Sequence, residues 1–285
     1  SGWGGRIGDL LASGNGNATF TCMNVAGNAV FLSGRSVVQY QVGPAGPLPL
    51  NPAQGTLFGS AQCAAALRAL VTAPQTELFA SEYGRVMARA LDAGDQLRGA
   101  LGTTPSLPGA DSNPLAAQLQ LVARTIANAQ AIGARRQVFF VAQGGFDNHS
   151  NLADAHPPLL AAVSQALQAF HSATLDLGVD TQVTTFTASD FGRTTTATDG
   201  SDHGWGGMHF VLGGAVQGGR FYGAAPVVAN GGPDDVGQGR LLPSTSVDQY
   251  AATLGRWFGL DDAQLLDVLP NLRNWDAAVR TLGFV

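Results

Sequence analysis

Residues 135–194 read RRQVFFVAQGGFDNHSNLADAHPPLLAAVSQALQAFHSATLDLGVDTQVTTFTASDFGRT, and this stretch decides the fold class. The apolar run at 137–142 is the length of a buried strand and ends on Gly144 and Gly145. Leu159, Val163, Leu167, Phe170 and Leu175 then recur at helical spacing, which predicts a helix over 157–177 stopped by Gly178. TQVTTFTAS, residues 181–189, supplies a second strand. Strand, helix and strand make a βαβ unit, whose strands run parallel through a right-handed crossover. Both strands then end on one edge of the sheet, the edge at which open α/β sheets bind ligands. The expected fold class is therefore α/β, with a largely parallel central sheet flanked by helices.

Working toward the N-terminus, Leu115, Leu119, Val122 and Ile126 form a helical stripe, with Asn113 as N-cap and Pro114 in the first turn. Before it, residues 106–113 gather Pro, Gly, Asp, Ser and Asn without an apolar period and read as a linker. That divides the chain into 1–110, an N-terminal part packing on or inserted in the main domain, and 111–285, the α/β core. Within the first part, 18–20, 29–32 and 37–42 read as short strands and 43–55 as a loop. Helices follow over 62–71 and 75–101, the second with Leu78, Val86, Ala90 and Leu97 on one face. Toward the C-terminus, VLGGAVQGGRFYG has the glycine pattern of a turn between strands and lacks the strand-to-helix setting of a dinucleotide fingerprint. Ser246 and Gln249 form a capping box, and Tyr250, Leu254 and Trp257 share the apolar face of the helix it starts.

Composition narrows the function classes. At 285 residues, 45% hydrophobic and 12% charged, the chain has apolar surface enough for a core. A net charge of -5 provides no basic field for nucleic acid or an anionic membrane surface. No apolar run approaches the roughly 20 residues of a membrane span. All 15 basic residues are arginine, which carries no mechanism. Cys22 and Cys63 sit in unlike contexts, open to either a disulfide or two free thiols, and neither belongs to a metal or redox motif.

The chemistry stands just past the two strand ends. GGFDNHSNLADAH brings Asp147, His149 and His156; SDFGRTTTATDGSDHGWGGMH brings Asp190, Arg193, Asp202, His203 and His209. Four of the five histidines fall in these two segments, which is why the segments rather than His171 carry the reading. Imidazole and carboxylate together suit zinc and other transition metals. Singly, each residue reads equally well as a cap or an Asx turn; jointly they point to a site. Arg193 fits either a clamp on an anionic oxygen or an ion pair with Asp190 or Asp199. Trp205 reads as packed loop core or as a wall of the site.

QVFFVAQGGFDNHSN, TASDFGRT, DHGWGGMHFVLGGAVQGGRFYG and PSTSVDQYAATLGRWFGL together resemble the successive signature blocks of the DUF1501 proteins, a bacterial family, and the likeness runs from SGWGGR to DVLPNL. The resemblance implies an alkaline-phosphatase-like fold, export by a twin-arginine signal to the periplasm or the extracellular space, and hydrolysis of phosphate or sulfate esters. It implies metal ligands at Asp147, His149, Asp190 and His203, with His156, Asp202 and His209 as additional candidates and Arg193 as anion clamp. The cofactor implied is a divalent ion, zinc first and manganese or calcium next. Phe191 stands where the superfamily's second metal expects a histidine, so one metal is better supported than two. The resemblance also places a GGND-type strand, one ligand and the nucleophile in a segment preceding Ser1, making that segment a partner of this one and this chain alone a poor catalyst. The competing expectation is a non-catalytic exported binding or assembly protein that keeps the hydrolase fold.

Overall fold

A computed structural model describes residues 1–27, 29–48 and 55–285. At its centre is a three-stranded parallel sheet of β1 (Cys22–Asn24), β2 (Tyr40–Gln41) and β3 (Val138–Phe140), in the order β2-β1-β3. Met23 stands opposite Tyr40 on one side and Phe139 on the other. Successive side chains of a strand point to opposite faces, and here each face has its own core. Met23 and Phe139 join a cluster with Leu97, Leu119, Val122 and Phe170, whereas Val138 packs with Ile7, Ala251, Leu265 and Val268.

The first face is covered by α4 (Pro114–Ala127), α5 (Leu152–Asp176) and the C-terminal part of α3 (Leu78–Ala100). The second is covered by α1 (Trp3–Leu11), α6 (Val247–Phe258) and α7 (Asp262–Val268). The result is a mixed α/β architecture with helices on both faces of a parallel sheet. α1 lies directly on β1 at Gly8, where a Cβ would meet the sulfur of Cys22 at 2.5 Å. The larger core draws on Phe20, Val42 and Leu97 as well as Leu115 and Phe170, so it spans the 110/111 boundary. Within 106–113, Leu107 is buried and its N–H donates to Gln120 at 2.8 Å.

Several local expectations are met for the expected reason. The Asn113 carboxamide oxygen accepts from the N–H of Leu115 and Ala116 with Pro114 behind it, and Ser246 and Gln249 cap each other's backbone at the start of α6. α2 (Ala61–Val71) and α3 lie close to their predicted bounds. Others need correction. Residues 18–20 and 30–32 are 3-10 turns rather than strands, the first capped by the Asn17 side chain. Of 37–42 only Tyr40 and Gln41 pair, because the N–H groups of Arg35, Ser36 and Val37 donate to the Asp9 carboxylate instead of to a neighbouring strand. α5 begins at Leu152, ahead of Pro157, since the N–H of Leu152 donates to the Asp199 carbonyl at 2.9 Å. Leu175 lies on its exposed side. On α3 only Leu97 of the predicted stripe enters the core; Leu78 and Val86 are exposed. The predicted loop at 43–55 falls at 49–54 outside the described residues.

The second strand of the predicted βαβ unit, β4 (Thr185–Phe186), pairs antiparallel with β7 (Val211–Leu212), and no ladder joins it to β3 among the described residues. Side chains link the two: the Phe31 ring lies 6.0 Å from Phe140 and 6.3 Å from Phe186. Between β4 and β7 the chain forms a hairpin of β5 (Gly192–Ala197) and β6 (Ser201–Gly204). No helix among the described residues is long and apolar enough to cross a membrane.

Candidate metal centre

The site is made where the loop between β3 and α5 meets the β5–β6 hairpin. Two backbone bonds join them beside the site: Ser201 N–H donates to the Asn148 carbonyl at 3.2 Å and Leu152 N–H to the Asp199 carbonyl at 2.9 Å. Gly200 permits this approach, because a Cβ there would stand 2.1 Å from the carbonyl carbon of His149. Within the hairpin, Arg193 and His203 face each other across the ladder. They therefore leave the same side of it.

Asp147 is the hub. Its Oδ1 lies 2.9 Å from His149 Nε2, 2.9 Å from His203 Nε2 and 3.0 Å from an Arg193 guanidinium nitrogen. The hydrogen bond from His203, then that from Arg193, hold the Asp147 carboxyl below the ordinary carboxylate range. Arg193 also donates to the carbonyls of Ser201 and Phe146, so it braces both segments. One oxygen of Asp147 and one nitrogen each of His149 and His203 lie within 4.8 Å of one another, and all three residues are exposed. Two imidazoles and a carboxylate with an open side match the donor set of catalytic zinc sites.

His149 has a carboxylate at each nitrogen, since its Nδ1 lies 3.2 Å from Asp202 Oδ1. A neutral imidazole carries one N–H and donates to one carboxylate only. The other contact sets a lone pair against an anion and calls for a cation between them or a second proton. The donor chemistry thus fits a bound cation at the Asp147 end.

The remaining candidates are dispersed. Asp190 is exposed and makes no hydrogen bond or ion pair among the described residues. Arg193 pairs with Asp147 rather than with Asp190 or Asp199. His156, on α5, presents its ring edge to Phe146 at 5.7 Å. His209 has Nδ1 3.3 Å from the Thr187 hydroxyl and its ring 6.2 Å from that of Tyr250; partial desolvation holds its pKa below the ordinary histidine value. Trp205 is 65% exposed, so it is not packed as loop core. Cys22 and Cys63 are free, the first buried and the second exposed, and neither belongs to the cluster.

Two contacts escaped the sequence reading. Phe191 stacks on His203, ring centroids 3.7 Å apart and planes 7° from parallel, and the Arg193 guanidinium lies 5.0 Å from the centre of the Phe191 ring. Asp202 is not in the group of three and addresses the far nitrogen of His149. No spacing announces a contact between residues 53 apart, although the adjacent Asp-Gly-Ser-Asp does mark a turn.

Compared with known proteins, residues 66–269 match the family model described as protein of unknown function, DUF1501. No curated protein and no solved structure matches.

Proposed function

The chain belongs to the DUF1501 family, and from that premise we propose that it is an exported, metal-dependent hydrolase of phosphate or sulfate esters on an alkaline-phosphatase-like fold. The observation that carries the reading is the meeting of Asp147, His149 and His203 on two segments that are far apart in the chain. Those three residues would hold one divalent ion, zinc first, then manganese or calcium. When bound, such an ion neutralises charge on an anionic ester and acidifies a coordinated water. Arg193 keeps guanidinium N–H groups beyond those donated to Asp147, Ser201 and Phe146, and these would orient a nonbridging oxygen. Phe191, stacked on His203, fixes the plane of that imidazole. Asp190, three residues before Arg193, lies outside that group of three and stays in the proposal as a candidate ligand of a second ion. Location in the periplasm or outside the cell belongs to the same proposal and rests on the family resemblance.

A second reading is favoured by the exposure of all three cluster residues, since hydrolytic sites are ordinarily concave. It makes the protein a non-catalytic exported binding or assembly module that retains the hydrolase fold. One experiment separates the two. The full-length protein is reconstituted with zinc, manganese or calcium, its metal content measured, and p-nitrophenyl phosphate and p-nitrophenyl sulfate offered as substrates. Turnover that Asp147→Asn and His203→Ala each lower by at least about 100-fold, the scale of losing one charge-stabilising group, supports the enzyme. Stoichiometric metal without turnover supports the binding module, and absence of metal removes both the centre and the hydrolase.

A further inference from the structure

We propose that Asp202 is a positioning residue of this centre and not one of its ligands: its carboxylate takes the Nδ1–H of His149 and thereby turns the Nε2 lone pair of that imidazole toward Asp147. The role in metal binding rests on the reading above; the proton assignment does not.

The geometry decides which nitrogen of His149 carries the proton. Asp147 Oδ1 already receives a guanidinium N–H from Arg193 at 3.0 Å and is faced by His203 Nε2 at 2.9 Å. The Asp202 carboxylate has His149 Nδ1, at 3.2 Å, as its one side-chain partner among the described residues. A carboxylate without another donor is the stronger claimant for the single N–H of a neutral imidazole. His149 is then the Nδ1–H tautomer, with Nε2 free to accept a cation. An imidazole held at its rear nitrogen by a carboxylate is how proteins orient a histidine for a metal.

The contact is built by the backbone and is not a chance meeting of surface chains. Asp202 N–H donates to the hydroxyl of buried Thr194 at 3.1 Å, and Ser201 N–H donates to the carbonyl of Asn148, the residue before His149. Gly200 lies against the His149 backbone so closely that a Cβ would stand 2.2 Å from its carbonyl oxygen. Asp202 is therefore delivered to His149 by the turn that joins β5 to β6. His203, next along β6, goes to Asp147. The hairpin supplies one donor directly and aims a second that belongs to the other segment.

An exposed carboxylate–imidazole pair contributes little to folding, so replacing Asp202 is expected to leave the thermal transition of the metal-free protein in place. Nitrogen-15 spectra of the histidine rings at about pH 8, above the ordinary imidazole pKa, read the tautomer in metal-free protein. Calorimetric titration with zinc alone reads affinity. The expected result is a wild-type His149 protonated on Nδ1, a loss of that preference in Asp202→Ala with zinc affinity about 10- to 100-fold weaker, and recovery of both in Asp202→Glu. A His149 protonated on Nε2, or on both nitrogens, overturns the assignment, as does an Asp202→Ala protein that binds zinc as tightly as wild type. Abolition of binding in Asp202→Ala to the level of Asp147→Ala would make Asp202 a ligand and equally overturn it. Should wild-type protein take up none of zinc, manganese and calcium, the hydrolase reading fails while the tautomer still decides whether Asp202 holds His149.

Discussion

His209 lies against Tyr250 beside β4; although the residue is solvent-exposed, partial desolvation by this packing holds its pKa below the ordinary histidine value. A histidine with a lowered folded pKa binds its proton more readily in the unfolded chain, so folding loses stability as pH falls. The contribution is complete above the unfolded value, about 6.5, and disappears as pH passes down through the lowered folded value. His209→Gln should therefore flatten the stability curve on the acid side of about pH 6.5, as read from urea unfolding at a series of pH values. Parallel curves for the two proteins there would show that His209 is not linked to folding. The cysteines give a second test at this scale. Burial pushes the Cys22 thiol up to about 12, whereas Cys63 is exposed. A thiolate reagent should label one cysteine in native protein and two after denaturation. No labelling of native protein would indicate a disulfide instead.

Among elements, one side chain both caps α4 and ties it to α5. Asn113 caps α4 through its carboxamide oxygen and, through its NH2 group, donates to the Ala162 carbonyl of α5 at 2.8 Å. Asn113→Ala removes both and should destabilise the protein by about 1–2 kcal/mol. Asn113→Ser keeps a capping oxygen and loses only the bond to α5, so its cost should be smaller. Equal costs for the two would mean that the cap contributes nothing and the inter-helix bond everything. α3 shows the converse situation. Its stripe was expected inside, yet Leu78, Phe79 and Tyr83 are exposed, and apart from Gly84, which packs near the Val71 and Ala73 carbonyls at the end of α2, burial is confined to Ala93, Gly94 and Leu97. An apolar stripe says that a helix has a face for burial, not where along its length a neighbour meets it.

At the scale of the molecule, the proposed ion would join two segments whose ligands, Asp147 and His203, are 56 residues apart. A ligand that binds only the folded protein stabilises it by about 2.7 kcal/mol at a free concentration 100 times its dissociation constant. At roughly 2–4 °C per kcal/mol for a chain of this size, zinc should raise the melting temperature by about 5–10 °C, chelator should reverse it, and Asp147→Ala should abolish the response. A melting temperature indifferent to zinc, manganese and calcium would count against the metal centre as a whole.

The sequence alone determined the α/β class, the stripe of α4, the caps of α4 and α6, and the two segments in which the candidate ligands lie, because apolar period, capping and strand-ending glycines are local properties of neighbouring residues. It also carried the family, through four blocks of signature residues. Tertiary structure alone decided that β4 pairs with β7 rather than beside β3, that α5 starts on Asp199 ahead of its prolines, and that Asp147, His149 and His203 form one group from which Asp190 stands apart. Likewise, only the fold shows Phe191 as the plate beneath His203 and Asp202 as the partner of His149. The physical reason is common to all of these: each depends on which backbone groups of distant segments find one another, and strand pairing and loop-to-hairpin contacts are fixed by long-range packing that no run of adjacent residues encodes.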